Sequence, residues 1–324
     1  MSLAMPADPA LAASFHSPGD AIMLTIGLRT GQSTQRNDRP GTIGRRNMPL
    51  TRFGPWQVQC LPEDGARLSV LRFDQQDLLT TAPGAFRPPT ADYGQYETRP
   101  VYGYDDCLPS VAACRFPGMD WRVPDHGELC WLKWEAAIEQ GALLCQVRSE
   151  QLPLHFTRLM RFSANSLIWL FEAHNRGSRP LPLQHVMHPL MPLEQIADLK
   201  LPKASSVFDE ASGRTIDLED VESHLLGQPS GTARMLLLRG VDEGQVMIGF
   251  RSGLRLSVTF PRELFATVGI WWNYGGYPDE DGCRRVECAF EPIPGPSSCL
   301  EEGTYLEVPP RGTLKWQVRW DVHS

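Results

Sequence analysis

Residues 142–192 read ALLCQVRSEQLPLHFTRLMRFSANSLIWLFEAHNRGSRPLPLQHVMHPLMP, and this stretch decides the fold class. Four short runs follow one another in it: ALLCQVRSE, LHFTRLMRF, SLIWLFEAHN and LPLQHVMH. Each is rich in leucine, aromatic or β-branched residues and is bounded by Gly, Pro, Asn or Ser, the pattern of strands between turns. NRGSRP between the last two reads as a hairpin turn. The same pattern extends in both directions. WQVQC, ARLSVLRF, QDLLTT and ELCWLKWEA precede it; ARMLLLRG, QVMIGF, LRLSVTF, FATVGIWWN, RVECAFEP and TLKWQVRW follow. Only DLEDVESHLLG (217–227) reads as a short helix. So many strands without intervening helices argue against a parallel α/β sheet and predict an all-β chain, an antiparallel sandwich or barrel. No fixed-period repeat points to a propeller or β-helix.

The domain is expected to occupy residues 51–324 as one unit, which is within range for an all-β chain of 324 residues. Residues 1–50 differ in character. MSLAMPADPALAASF lacks a charged segment followed by a long apolar core and makes a poor signal peptide. Thr25–Asn47 is rich in Arg, Gly, Ser and Thr. A loosely ordered, functionally silent extension is expected here.

Bulk composition narrows the partners. Hydrophobic residues make up 42% and charged residues 21%, a globular balance. The net charge is −7 with no basic block, which argues against a nucleic-acid partner. No run of eighteen apolar residues predicts a membrane span. Cysteines stand at 60, 107, 114, 130, 145, 283, 288 and 299, with no CxxC pair and no zinc-template spacing. Free thiols in a reducing cytoplasm are the plain reading, with two or three disulfides in an oxidising compartment the alternative; no metal, no cofactor and a monomer or homodimer are expected.

Four polar features are candidates for chemistry. His126 lies in VPDHGELC (123–130), where a long loop rich in Pro, Gly, Tyr and Asp (81–128) meets the next strand. Loops of that length in compact domains are commonly functional. Its plainer reading is an Asp-His turn capping local amides. His185 and His188 lie in QHVMHPLMP (184–192). Residues three apart in a regular strand point to opposite faces, so at most one of the two serves a given pocket. His188, at the strand end before Pro189, is the better placed. Glu291 closes an apolar strand in CAFEPIPGPSSCL (288–300), where partial desolvation would raise its pKa toward that of a useful base. Asp105 and Asp106 form a carboxylate pair in GYDDCLPS. Adjacent residues point apart, so one of them binding hydroxyls or capping a turn is expected rather than joint catalysis. WWNYGGYP (271–278) offers Trp272 and Tyr274, beside Trp271, as an aromatic platform for stacking a ligand; their plainer reading is core packing.

Taken in order, DHGE (125–128), FEAHNRGSRPLPLQHVMHPLM (171–191) and VECAFEPIPGPSSCL (286–300) resemble the aldose 1-epimerase (galactose mutarotase-like) family over roughly residues 53–320. The resemblance implies a large antiparallel β-sandwich whose substrate is a free hexose or related sugar. It implies interconversion of α and β anomers, with Glu291 as general base, His188 as general acid and His126 helping to bind or polarise the ring oxygen. The chain departs from the family pattern where a sugar-binding arginine would be sought: Glu128 and Leu129 follow the His-Gly pair, and neither Arg99 nor Arg122 matches a motif. Leu190 and Met191 replace the aromatic residue that usually follows His-Pro. Other readings stay open: a sugar-binding protein without turnover, a sugar-phosphate mutarotase, or a glycoside hydrolase or lyase using Asp105, Asp106 or Glu128.

Overall fold

A computed structural model describes residues 48–82, 101–217, 219–277, 284–300 and 305–323. The fold is an antiparallel β-sandwich, one of the two architectures the strand pattern allows and the one the family resemblance implies. One layer is an eight-stranded sheet in the order Ile196–Lys200, Gln245–Phe250, Arg255–Thr259, Thr313–His323, Ser166–Asn175, Leu154–Phe162, Ala142–Arg148, Glu135–Glu139. Its centre is the pair of hairpin-connected strands Leu154–Phe162 and Ser166–Asn175, paired from end to end. Every second residue of these strands is buried, so one face meets the core and the other meets water.

The opposing layer is built from two sheets. The first runs Thr51–Phe53, Trp56–Leu61, Arg67–Phe73, Tyr104–Cys107, Val186–Pro189. The second runs Val286–Ile293, Thr267–Tyr274, Thr232–Arg239, Ser206–Asp209, Arg214–Ile216. An antiparallel bridge between Met191 and Cys288 joins them, with the two residues exchanging N–H···O bonds of 2.7 and 3.0 Å. The register of that bridge, carried three residues along each strand, brings His188 opposite Glu291. The main core lies between the layers. Trp56, Leu68 and Tyr104 from the first sheet and Ile270, Trp272 and Phe290 from the second pack with Phe156, Trp169, Phe171 and Trp316 of the eight-stranded sheet.

Three sequence expectations shift. The run LPLQHVMH is two strands, Leu181–Leu183 and Val186–Pro189, which belong to different sheets. ELCWLKWEA opens as a 3-10 turn, Leu129–Trp131, and only its end joins the Glu135–Glu139 strand. The predicted helix is one of six residues, Val221–Leu226, capped by the Asp220 carboxylate on the Ser223 N–H. Of the expected N-terminal extension, residues 1–47 lie outside the described residues. Met48 packs against the core and donates its N–H to Cys60 O. Among the described residues no helix is long and apolar enough to cross a membrane.

Candidate functional site

Because side chains alternate along a strand, the joined layer has two chemically distinct faces. The face turned toward the eight-stranded sheet carries Tyr104, Asp106, Met187, Trp272 and Phe290. The outward face carries a cross-strand row: Arg67, Asp105, His188, Glu291, Gly269, Leu237 and Phe208. Successive members of the row from His188 onward are register partners or bridge neighbours, and Asp105 pairs His188.

His188 and Glu291 stand at the seam between the two sheets. The distance from His188 Nε2 to Glu291 Oε1 is 3.7 Å, and both side chains are buried. Gly269, the register partner of Glu291, leaves the space that the carboxylate uses. A Cβ there would lie 3.3 Å from Glu291 Oε2 and 2.8 Å from Ile293 Cδ1. Glu291 Oε2 has no hydrogen-bond partner among the described residues. Burial, and then the charge of Glu210, push the Glu291 carboxyl up to about 8. Glu210 is held by the Ser298 hydroxyl, which donates to its Oε1 at 2.7 Å.

His126 comes from a tight turn that reaches over this seam. It adopts φ of +61°, an uncommon conformation for a non-glycine residue. Gly127 follows at +74°, and a Cβ there would fall 2.0 Å from Leu108 O, so only glycine fits. The turn is pinned by His126 N–H to Val111 O and Glu128 N–H to Leu108 O. The loop after Glu291 is tied to the same segment. Ala112 N–H donates to Ser298 O and Gln184 Nε2 to Ser297 O, both at 2.8 Å. The His126 ring meets the His188 ring edge-on, with centroids 5.0 Å apart, and Asp125 Oδ1 lies 3.2 Å from His126 Nδ1. His126 is half-buried, so this side of the cluster opens toward solvent. His126, His188 and Glu291, drawn from three distant segments of sequence, thus meet in one place.

Other predicted residues fall elsewhere. Asp106 is on the core face, where the Arg158 guanidinium, Tyr104 Oη (2.5 Å) and His185 Nε2 (3.0 Å) all engage it. It is unavailable to a substrate. Burial alone would push the Asp106 carboxyl up, but the Arg158 charge and the hydrogen bonds of His185 and Tyr104 hold it below its ordinary value. Asp105 is on the site face but buried and ion-paired, its Oδ2 2.9 Å from Arg67 Nη1. Trp272 lies in the inter-sheet core and Tyr274 packs against it, so core packing accounts for both. Trp271, one residue out of phase, takes the site face, and its Nε1 donates to Glu287 at 3.2 Å. Glu128 is fully buried and accepts from the Ser149 hydroxyl and the Glu150 N–H, which removes it as a hydrolytic acid. Arg122 is exposed, and Arg99 lies outside the described residues.

Three residues of the site were not singled out from the sequence. Arg67 occupies the end of the cross-strand row, donating through Nε to Asp64 and through Nη1 to Asp105 and Tyr102 O. Glu210 sets the field at Glu291. Cys107, two residues from Asp105 on the same face, puts its Sγ within 4.8 Å of ligand nitrogens of both His126 and His188. Cys107, His126 and His188 are the described residues whose geometry could hold a metal ion.

No family model and no curated protein matches the chain. Solved structures do. The Slr1438 protein of Synechocystis sp. PCC 6803 superposes with a TM-score of 0.68 at 16% identity, covering 90% of this chain and 99% of that one. A galactose mutarotase related enzyme of Lactobacillus acidophilus gives 0.60 at 13%, covering 86% and 98%. A galactose mutarotase-like protein of Clostridium acetobutylicum gives 0.61 at 13%, covering 85% and 94%. At these identities the likeness is one of fold, and the fold is galactose mutarotase-like.

Proposed function

We propose that the chain is a mutarotase of the aldose 1-epimerase kind, interconverting the anomers of a free hexose or related sugar. The observation that carries this reading is the buried pair His188–Glu291, 3.7 Å apart across the sheet seam and roofed by His126. Opening a hemiacetal ring needs a base at the C1 hydroxyl and an acid at the ring oxygen. Both oxygens are bonded to the same carbon, so the two catalytic groups must themselves be neighbours. Glu291 accepts the hydroxyl proton as the bond from C1 to the ring oxygen breaks, and His188 gives its proton to that oxygen. Rotation about C1–C2 followed by closure on the other face returns both protons. His126 is positioned to hold the ring oxygen or a neighbouring hydroxyl. The raised pKa of Glu291 supports its role, because a carboxylate made more basic by burial is a better proton acceptor near neutrality.

Exchange between α and β anomers, followed by NMR with a panel of hexoses, tests the proposal. Wild-type protein is expected to accelerate exchange above buffer with at least one sugar. Binding of those sugars without acceleration would instead identify a sugar-binding protein.

A further inference from the structure

We propose that Cys107, His126 and His188 bind a soft divalent cation, with Zn²⁺ the best match, and that its occupation silences the acid–base centre. The donor set is one thiol and two imidazoles, the combination that suits zinc rather than magnesium or calcium. One ligand atom of each lies within 4.8 Å of the others, close enough for side-chain rotation to converge them on a single ion. Each donor comes from a different segment: the Tyr104–Cys107 strand, the turn before Leu129, and the Val186–Pro189 strand. Sequence spacing therefore has no template to detect it.

A second feature points the same way. Asp125 Oδ1 stands 3.2 Å from His126 Nδ1, at ion-pair distance. A carboxylate on the far nitrogen of a histidine is the usual support of a metal-bound imidazole. Cys107 and His188 are buried while His126 is half-buried, so the cluster meets solvent on the His126 side. The Asp125 carboxylate lies beside the His126 ring, where a cation would be bound. A metal ion on the His188 nitrogen that faces the ring oxygen takes the place of the proton to be given. That consequence rests on the mutarotase reading; the binding itself does not.

The test titrates Co²⁺ into the reduced, chelator-treated full chain and follows the thiolate-to-cobalt charge-transfer absorption, with Zn²⁺ as competitor. One equivalent is expected to develop the band, and Zn²⁺ is expected to remove it. In Cys107→Ser the band should vanish, and in His126→Ala the Zn²⁺ affinity should fall by at least about tenfold. Circular dichroism checks that each variant is folded, and the half-buried His126 keeps the test open if Cys107→Ser does not fold. No stoichiometric uptake by wild type, a band unchanged in Cys107→Ser, or unchanged Zn²⁺ affinity in His126→Ala overturns the site. Anomer exchange is measured alongside. Loss of exchange at one equivalent of Zn²⁺ supports the silencing, and unchanged exchange at full occupancy overturns it. A cobalt band in a protein whose metal-free form shows no exchange with any sugar would sink the mutarotase reading while leaving the metal site standing.

Discussion

Two clusters of nearly the same chemistry lie back to back on the strands Tyr104–Cys107 and Val186–Pro189. On the core side, Asp106 meets His185, Arg158 and Tyr104. On the outward side, Glu291 meets His188, with His126 above. Both carboxylates are buried, yet their pKa values move in opposite directions, Asp106 down and Glu291 up to about 8. The cause is partnership. Asp106 has a full guanidinium charge and two further donors, which outweigh the cost of burial. Glu291 lies near another carboxylate, Glu210, and keeps one oxygen without a hydrogen-bond partner among the described residues. A satisfied buried carboxylate is a structural group, and an unsatisfied one is poised for proton transfer.

The largest effects that would break this contrast are kinetic. Glu291→Gln and His188→Asn are each expected to slow anomer exchange by about 10²–10⁴-fold, the usual worth of one acid or base, with the fold intact by circular dichroism. His185→Asn should leave exchange in the folded protein within roughly an order of magnitude, because its ring serves Asp106 and packs among Phe156, Phe171 and Trp316. Near-normal exchange in Glu291→Gln would end the assignment. Core-side changes should act on stability instead. Arg158→Leu strands the Asp106 charge and is expected to cost about 3–5 kcal/mol in urea unfolding. A loss below about 1 kcal/mol would show that Asp106 is not held by that pair.

That contrast explains what could and could not be read from sequence. Strand character is local, so the all-β class and nearly every strand were visible in runs such as LHFTRLMRF and SLIWLFEAHN. His126, His188 and Glu291 were visible because each sits at a strand end or turn with a telltale Gly or Pro beside it. His185 and His188 do meet different surroundings, but for a different reason: His185 lies in the link where the chain changes sheets, where a single alternating strand was expected. Phase was the weak point. Trp271 and Trp272 are equivalent in composition, and only the pairing of Gly269 with Glu291 decides which ring faces the site. Asp105 and Asp106 divide in the same way. Arg67, Glu210 and Cys107 were beyond reach because their roles depend on cross-strand register, a property of pairs distant in sequence.

The contrast also has a pH signature. Glu291 binds its proton more tightly folded than unfolded, so the native state carries the extra proton between its ordinary value of 4.5 and about 8. Stability from this group is therefore full below the lower value and lost as pH rises to about 8, by an amount on the order of a few kcal/mol. Activity should run the other way, since the base works only as the anion, and kcat/KM should climb toward pH 8. Asp106 has the opposite sign: its contribution is present above the ordinary aspartate value and disappears only as pH falls through its lowered folded value. Urea unfolding across pH 5–9 reads the first effect. Glu291→Gln is expected to flatten that decline and to be the more stable protein at pH 9. A wild-type decline that persists unchanged in Glu291→Gln would assign it to other groups.

The smallest expected effect separates the site from its support. Gly269 touches no substrate in the proposed mechanism, yet it makes the room in which the Glu291 carboxylate sits. In Gly269→Ala the new methyl would meet Ile293 Cδ1 at 2.8 Å, Met235 Cε at 3.0 Å and Glu291 Oε2 at 3.3 Å. Two of these are ends of flexible apolar side chains that can shift, so the cost in stability should be modest, about 1–3 kcal/mol. The carboxylate is the end with a function, and moving it changes its approach to the C1 hydroxyl. Exchange should therefore fall by about tenfold or more through kcat, with KM little changed, because the loss is in alignment rather than in sugar binding. A rise in KM at constant kcat would instead place Gly269 beneath the sugar and show that Glu291 does not depend on the space it leaves.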